Sequence, residues 1–263
     1  MSVKISIITV CYNNKYGLEK TIESVKTQTY KEYEFIIVDG ASSDGTLDLI
    51  AENKRYIYTW ISEKDNGIYQ AMNKGILLAK GEYCLFLNSG DYLANNKVLE
   101  NIFNPSSEAD IIYGNVFKVK PHYRRLIKYS SALSLYDFYR TAAVIHHQAS
   151  FIKRELFEKY GLYREDLQIN GDWEFFFRTI ILQKVKTNYI DRVISVVDGT
   201  GLSNNMKIDN PLRLKALKDK EDIFRLNFPE YILADYQILD KTLSHTSFLR
   251  RIVNKIVYFR MKK

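Results

Sequence analysis

The clearest candidate for chemistry in this sequence is Asp91, which follows a short buried strand. The apolar run Tyr83–Leu87 has the length and the bounded form of a core strand, and a turn of small residues leads from it to Asp91. Ligands of open α/β sheets bind outside the carboxyl ends of the strands. A carboxylate there can hold a divalent cation against a phosphorylated ligand, because hard cations prefer oxygen ligands. We therefore predict an enzyme that handles a nucleotide.

Two earlier strand ends carry side chains that could bind a nucleoside. Tyr12 could stack on a base while the main chain of Thr9 and Val10 binds its edge, or it could simply cover the edge of the sheet. Asp39 ends the second strand, and its carboxylate could accept a hydrogen bond from a base or a ribose hydroxyl. Asp44 is better explained as a helix cap than as a ligand contact.

The helix before Asp91 offers further polar candidates. Asp65 opens this helix at a glycine-bearing turn, where the helix dipole favours an acidic residue. Lys74, next to Asn73, could present a point charge to a phosphate, or it could be an ordinary solvated lysine. For Asp65, a helix cap and a functional contact both remain open. For Lys74, a phosphate contact and a solvated position both remain open.

Two segments of the second half combine acidic and polar residues. His147 and Gln148 precede a strand-like segment, and no partner lies at the spacing of metal ligands, which favours polar lining or structural hydrogen bonds. Asp172 lies near a helix start with Glu174 in the first turn, so a helix cap is one explanation of this aspartate.

Alternating strands and helices must position these residues. In the first half the pattern predicts strands and helices in the order Ile5–Val10, Tyr16–Lys26, Phe35–Val38, Thr46–Glu52, Tyr56–Ile61, Ile68–Ala79 and Tyr83–Leu87. This alternation is typical of a parallel sheet covered by helices on both faces, an α/β fold. Further along, strands are predicted at Asp110–Lys120 and Val185–Val197, and helices at Arg154–Tyr160, Trp173–Leu182, Pro211–Leu226 and Tyr231–Leu243.

Composition narrows the class of protein. The 263 residues are 46% hydrophobic and 26% charged, which is typical of a globular chain. The two cysteines lie in or beside apolar strands and make no disulfide framework. We see no secretory leader and no apolar run near the ~20 residues of a spanning helix, so we expect a cytoplasmic protein.

The net charge of +7 is concentrated at the carboxyl end. Residues 241–263 hold seven basic residues and no acidic one, so the rest of the chain is neutral. In the segment Thr246–Arg260, apolar residues recur at helical spacing and basic residues lie on the other side. This pattern predicts a basic amphipathic helix on an anionic membrane surface. The alternative is a helix packed on the body with a solvated basic face. Because the excess charge is confined to this tail, we do not expect nucleic-acid binding.

Five segments in order resemble the family 2 glycosyltransferases, inverting enzymes of the GT-A fold. They are SIITVCYNN, IIVDGASSDGT, SEKDNGIYQAMNKGILLAKGEYCLFLNSGD, HHQASFIKRELFEKYG and GDWEFFFR. The resemblance covers roughly residues 3–203. The chain looks most similar to the branch that builds bacterial surface polysaccharides. The resemblance implies a Rossmann-like, mostly parallel sheet flanked by helices.

The resemblance also implies a nucleotide-sugar donor, usually a UDP-sugar, and a divalent cation, Mg²⁺ or Mn²⁺. The donor-side residues that it implies are Thr9, Val10, Tyr12, Asp39, Asp65, Asn73, Lys74, Asn88 and Gly90. The family's Asp-x-Asp metal element aligns with Asn88-Ser89-Gly90-Asp91, where only Asp91 is acidic. One carboxylate, two diphosphate oxygens and waters can still complete a Mg²⁺ shell.

For the acceptor, the resemblance implies Asp172 as the general base that removes a proton from the attacking hydroxyl, with Glu174 as the fallback. It implies an acceptor side that includes His147, Gln148, Trp173 and Glu174. Separately, the glycine content of residues 198–203 is typical of a mobile loop that closes over a donor and excludes water. The expected acceptor is a saccharide or a polyprenyl-diphosphate-linked saccharide. The competing hypothesis, a non-catalytic nucleotide-sugar binding protein, follows from the reduced acidic motif.

We therefore expect two regions in the chain. Residues 1–210 would form the GT-A glycosyltransferase domain, and residues 211–263 a helical extension that ends in the basic amphipathic tail. Such a protein would be cytoplasmic and peripheral on the inner face of a bacterial cell membrane.

Overall fold

The computed structural model describes residues 3–104, 108–141, 144–200 and 210–243. Their strands form one nine-stranded sheet with helices on both faces. The strands are β1 (Ile5–Cys11), β2 (Tyr33–Asp39), β3 (Thr59–Ser62), β4 (Tyr83–Phe86), β5 (Tyr92–Leu93), β6 (Ile111–Lys120), β7 (Tyr123–Ile127), β8 (Ser150–Lys153) and β9 (Thr187–Asp198). This confirms the predicted α/β fold with its mostly parallel sheet.

Helices connect the strands and cover both faces of the sheet. They are α1 (Lys15–Lys26), α2 (Thr46–Glu52), α3 (Ile68–Leu78), α4 (Val98–Phe103), α5 (Leu135–Arg140), α6 (Glu155–Tyr160), α7 (Gly171–Phe176), α8 (Pro211–Asn227) and α9 (Glu230–Leu243). The predicted helix Trp173–Leu182 is instead α7 followed by a π-helical segment, Phe177–Leu182.

The strand order places a ligand crevice between β1 and β4. The order is β3-β2-β1-β4-β8-β6-β9-β5, with β7 paired to β6. β1, β2, β3 and β4 are mutually parallel, so their carboxyl ends share one edge of the sheet. The order reverses between β1 and β4, and a parallel sheet binds its ligands at such a reversal.

The second half departs from the parallel pattern. β8 is antiparallel both to β4 and to β6, whereas β6 and β9 are parallel to each other. The short strand β5 pairs antiparallel with the end of β9, with Tyr92 opposite Val196. This pairing brings the end of β9 back to the turn that follows β4.

β1 divides the hydrophobic core into two layers, because successive side chains of a strand point to opposite faces. Ile8 packs on the side of α3, and Ile7 on the side of α1. The helix α3 lies close to β1 at Gly75, where an added Cβ would stand 2.4 Å from Ile8 Cγ2. The fixed distance between α3 and β1 positions the residues at the start of this helix.

The carboxyl-terminal helices share an aromatic cluster with α5, α7 and the π-helical segment. The Phe224 ring on α8 lies 5.1 Å from the Phe177 ring and 6.0 Å from the Trp173 ring, between ring centroids. Tyr236 on α9 lies 5.5 Å from Tyr136. The division at residue 210 stays a prediction.

Within the described residues, no helix is both long and apolar enough to cross a membrane. The predicted amphipathic helix Thr246–Arg260 and the end of the predicted covering loop, residues 201–203, lie outside the described residues.

Candidate active site

A cavity of about 460 Å³ opens at the carboxyl ends of β1 and β4. Polar side chains from five segments of the chain meet on its wall, including Asn14, Asn88, Asp91, His147, Gln148, Asp172 and Asp198. Asp91 and Asp172, which the sequence analysis assigned to different roles, therefore line one space.

Asp91 is almost fully buried at 5% exposure, and both of its carboxylate oxygens accept hydrogen bonds. The Asp198 backbone N–H donates to Oδ1 over 2.9 Å, and Gln148 Nε2 donates to Oδ2 over 3.0 Å. Burial raises the pKa of the Asp91 carboxyl to about 6, although these hydrogen bonds favour its charged form. A cation that binds beside such a buried carboxylate stabilises its charged form.

The turn that carries Asp91 is held by α1. The Thr21 hydroxyl donates to the Asp91 carbonyl over 2.7 Å and accepts from the Gly90 N–H. Asn14 caps α1 by accepting from the Gly17 N–H, and its amide donates to the Ser89 carbonyl over 3.0 Å. Gly90 has a φ of +103°, a conformation that favours glycine. The metal motif is thus fixed to the amino end of the first helix.

Asp172 is held by hydrogen bonds to both of its oxygens. His147 Nδ1 lies 2.8 Å from Oδ2, while the Tyr69 hydroxyl and the Trp173 N–H each lie 2.9 Å from Oδ1. Burial raises the pKa of this carboxyl, but the contacts with His147, Tyr69 and Trp173 outweigh burial and hold the pKa below its ordinary value. Asn170 occupies the cap position of α7, so Asp172 belongs to the first turn rather than to the cap.

Hydrogen bonds from the adjacent residues His147 and Gln148 reach both aspartates of the cavity. When His147 Nδ1–H donates to Asp172, its Nε2 is an acceptor, and Asn88 Nδ2 lies 3.3 Å from it. Gln148, the next residue, donates to Asp91. His147 and Gln148 therefore orient one aspartate each, from adjacent positions.

Two residues that line the cavity each have a buried side-chain oxygen with no partner among the described residues. These oxygens are Asn88 Oδ1 and Gln148 Oε1. No group of three or more His, Cys, Asp or Glu side chains within the described ranges is arranged to hold a metal ion. One carboxylate and two amide oxygens nevertheless suit a hard cation such as Mg²⁺ or Mn²⁺, which binds oxygen and keeps several positions for substrate and water. The residues present therefore fit a divalent cation beside Asp91.

The surface at Tyr12, Gly40 and Asp65, past the carboxyl ends of β1 and β2, forms a shelf. Tyr12 is 67% exposed at the end of β1, and Gly40 lies between it and Asp65. A Cβ on Gly40 would stand 3.0 Å from Asp65 Oδ2 and 3.2 Å from Tyr12 Cδ2, so only glycine leaves this approach open. A planar aromatic ligand could lie against Tyr12 here.

The side chains beneath this shelf serve the protein itself. The buried Asp39 carboxylate accepts from the Ser42 N–H over 2.9 Å and from the Ser62 hydroxyl over 2.6 Å. The Thr9 hydroxyl donates to the Leu87 carbonyl, and the Val10 carbonyl accepts from the Ser89 N–H. These contacts fix the turns on which a nucleoside would rest.

Ten of the predicted site residues do not line the cavity: Thr9, Val10, Tyr12, Asp39, Asp65, Asn73, Lys74, Gly90, Trp173 and Glu174. Asn73 exchanges hydrogen bonds with the Tyr163 backbone, and Lys74 forms an ion pair with Glu63 at 2.7 Å. Trp173 and Glu174 are buried on other faces of α7, because successive helix residues rotate by about 100°. Of Asp172, Trp173 and Glu174, only Asp172 therefore faces the cavity.

Three side chains of the site were not singled out in the sequence. Tyr69, Asn14 and the Asp198 carboxylate lie on the cavity, and each contacts a predicted residue or its turn. Asn14 could have been found, since an asparagine before a helix is a cap signal. The contacts of Tyr69 and Asp198 depend on partners more than a hundred positions away, which no local pattern reports.

Comparison with known proteins matches the chain to a sequence family and to relatives of similar length. The profile described as "Glycosyl transferase family 2" matches residues 6–161. A "PGL/p-HBAD biosynthesis glycosyltransferase" of Mycobacterium bovis is 30% identical over 210 residues, which is 78% of this chain and 80% of that protein. An uncharacterized glycosyltransferase of Mycobacterium tuberculosis is 31% identical over 208 residues, 76% of this chain and 77% of that protein.

Solved structures share the fold. TarS of S. aureus in complex with UDP-GlcNAc matches with a TM-score of 0.69 at 17% identity, over 92% of this chain and 73% of that one. The mannosyltransferase PcManGT from Pyrobaculum calidifontis, in complex with GDP-Man and Mn²⁺, matches with a TM-score of 0.55 at 16% identity, over 90% of this chain and 80% of that one.

Proposed function

The chain belongs to glycosyl transferase family 2, and from this membership we propose that it moves a sugar from a UDP-sugar to a hydroxyl of a saccharide or lipid-linked saccharide. We further propose that the transfer inverts the anomeric configuration, requires Mg²⁺ or Mn²⁺, and serves the synthesis of bacterial surface polysaccharide. The supporting observation is that Asp91 and Asp172 line one cavity, each held by its own hydrogen bonds.

In this proposal Asp172 is the general base. An inverting transfer is a direct displacement, in which the acceptor hydroxyl loses its proton as its oxygen attacks the anomeric carbon. His147 and Tyr69 hold the Asp172 carboxylate in its charged form, ready to take that proton. The low pKa of Asp172 keeps it ionised at neutral pH.

Asp91 would hold the cation on the departing nucleoside diphosphate, with Asn88 and Gln148 offering further oxygens. When bound, Mg²⁺ or Mn²⁺ supplies positive charge that stabilises the leaving diphosphate. The base and ribose would rest on Tyr12 and Asp65, beside Gly40 and the turn of Asp39. In this proposal the donor and the acceptor occupy different sides of the site.

The nature of the donor is supported by what related structures contain. TarS was solved with UDP-GlcNAc and with UDP, and PcManGT with GDP-Man. A uridine donor is our proposal, because the family resemblance implies a UDP-sugar and TarS, which shares the fold, was solved with UDP-GlcNAc and with UDP. The acceptor is proposed to be a saccharide, free or linked to a polyprenyl diphosphate.

The test is donor turnover with Mn²⁺ and a panel of UDP-sugars and saccharide acceptors, read as UDP release and as product by NMR. We expect Asp172→Asn to lower kcat by about 10²–10⁴ while UDP-sugar affinity is kept, since only the proton acceptor is lost. Inversion is checked from the anomeric coupling of the product. Lys184→Gln, a change in a surface turn, serves as the matched control.

The alternative is a nucleotide-sugar binding protein without turnover, which the single acidic residue of the metal motif would favour. It predicts tight donor binding and no product from any acceptor, with Asp172→Asn indistinguishable from the wild type in every assay. If Asp172→Asn retained turnover, Asp172 would not be the general base, and the proposed sugar transfer would still stand.

A further inference from the structure

The Asp198 carboxylate at the end of β9 has no part in the assignments made above, yet it stands against the metal motif. Its backbone N–H donates to Asp91 Oδ1 over 2.9 Å. Its Oδ1 accepts from the Thr200 N–H and hydroxyl at 2.8 and 2.6 Å, and its Oδ2 faces Gly90, where an added Cβ would lie 3.6 Å away. Asp198 also lines the same cavity as Asp91.

A β-ladder, rather than a loop, determines this position. The antiparallel pairing of β5 with β9 sets Tyr92 opposite Val196, so the end of β9 runs alongside the residues just before Tyr92. Asp91 and Asp198 thus approach each other because strand register places them there. Strand register fixes the positions of both residues, and a metal site requires ligands that are held in fixed positions.

A second, independent observation comes from Gln148. This side chain is only 8% exposed, its Nε2 donates to Asp91, and its Oε1 is buried without a partner among the described residues. A buried amide oxygen that accepts nothing costs free energy that a ligand could recover. The oxygen belongs to the side chain that already touches Asp91, so that ligand would bind next to the carboxylate.

We propose that Asp198 and Gln148 complete, together with Asp91, the divalent-cation site of this chain. The inference rests on the proposed function, in which the cation binds a nucleoside diphosphate. Two carboxylates and one amide oxygen leave positions for diphosphate oxygens and water, the arrangement that Mg²⁺ prefers. The second carboxylate would come from β9, since Asn88, Ser89 and Gly90, which precede Asp91, carry no acidic side chain.

The test measures Mn²⁺ affinity directly, as free Mn²⁺ by electron paramagnetic resonance in the presence of saturating UDP. Asp198→Asn keeps the shape and the acceptor for Thr200 but removes the charge. We expect it to weaken Mn²⁺ binding by about tenfold or more, the scale on which changes around a metal site act. Gln148→Met should weaken Mn²⁺ binding in the same direction, and Asp91→Asn should weaken it most.

The matched control is Asp191→Asn, which removes an exposed aspartate of the same strand, paired with Lys128. It should leave Mn²⁺ affinity unchanged, and UDP binding in EDTA should be the same for all variants. If Asp198→Asn matches Asp191→Asn while Asp91→Asn loses Mn²⁺, the role of Asp198 is overturned and the proposed function stands. If the wild type binds no Mn²⁺ with UDP, this proposal fails, and the sugar-transfer assay decides the proposed function separately.

Discussion

At the scale of single residues, the contact between His147 and Asp172 controls the protonation of the proposed base. His147 Nδ1 lies 2.8 Å from the carboxylate, and Tyr69 adds a second contact at 2.9 Å. Both interactions favour the charged carboxylate and lower its pKa against the opposing effect of burial. A base whose pKa lies below neutral is present in its active form throughout the neutral range.

Removal of either contact should raise the pKa of Asp172. We expect the acid limb of the kcat/KM profile to move to higher pH in His147→Gln and in Tyr69→Phe, because a protonated Asp172 cannot accept the hydroxyl proton. The matched control is Tyr163→Phe, which removes a buried hydroxyl that has no partner among the described residues. An acid limb that stays at the wild-type pH in both variants would argue against Asp172 as the base.

Asp91 presents the opposite balance, since burial raises its pKa to about 6 from the ordinary 3.8. The folded protein holds this proton more tightly than the unfolded chain does, so wild-type stability falls as pH rises from about 4 to about 6. Above pH 6 the full cost of burying the charged carboxylate is present, roughly 3 kcal/mol.

We therefore expect Asp91→Asn to raise the free energy of unfolding of the metal-free protein. The gain should be larger at pH 8 than at pH 5, and urea denaturation in EDTA at both values measures it. Asp191→Asn, which removes an exposed carboxylate whose pKa is lowered by Lys128, should show no such gain. A variant less stable than the wild type at pH 8 would show that the two hydrogen bonds to Asp91 outweigh its burial.

At the scale of elements, Arg178 attaches the helix that carries Asp172 to the rest of the fold. It forms an ion pair with the buried Glu174 at 3.0 Å and donates to the carbonyls of Tyr160, Gly161 and Leu162 at the end of α6. One guanidinium thus satisfies a helix end and a buried carboxylate together. The orientation of α7, and with it of Asp172, depends on this contact.

Arg178→Met should destabilise the protein by about 3 kcal/mol, because Glu174 would remain buried without a partner. The denaturation midpoint in urea measures this loss. The matched control is Arg164→Met, which breaks an exposed ion pair with Asp166 and should change stability by about 0.5 kcal/mol or less. If the two variants lost the same stability, the Glu174 carboxylate would have become hydrated in Arg178→Met.

At the scale of the whole molecule, charge separates the body of the chain from its end. Residues 241–263 carry the entire excess of seven positive charges, and residues 1–240 are formally neutral. A basic amphipathic helix with this sequence would hold the enzyme at an anionic membrane surface, where a lipid-linked acceptor resides. Peripheral attachment to the inner face of the membrane is therefore part of the proposal.

Deletion of residues 244–263 should abolish sedimentation with phosphatidylglycerol vesicles at about 0.1 M salt. Each basic residue near an anionic surface contributes about 1 kcal/mol, so the wild type should dissociate as salt is raised. Phosphatidylcholine vesicles and the triple variant Arg250→Gln, Arg251→Gln, Lys255→Gln separate charge from apolar insertion. Vesicle binding that survives the deletion would assign membrane contact to another surface, or to none.

The amino-acid sequence by itself determined the class of fold and the family. Periodicity over a few residues distinguishes strand from helix, and the alternation of the two predicts the parallel sheet that the structure confirms. The motifs that end in Asp39 and Asp91 are local in the chain, so they could be read before any contact was known. The confirmed membership of glycosyl transferase family 2 follows from the same local segments.

Only the tertiary structure decided which side chains share the cavity. The antiparallel β8 between β4 and β6 brings His147 and Gln148 beside Asn88 and Asp91, and the pairing of β5 with β9 brings Asp198 to the same turn. Those contacts join residues 57 and 107 positions apart in the chain. A local pattern reports which face of an element is buried, whereas strand order and register determine what that face meets.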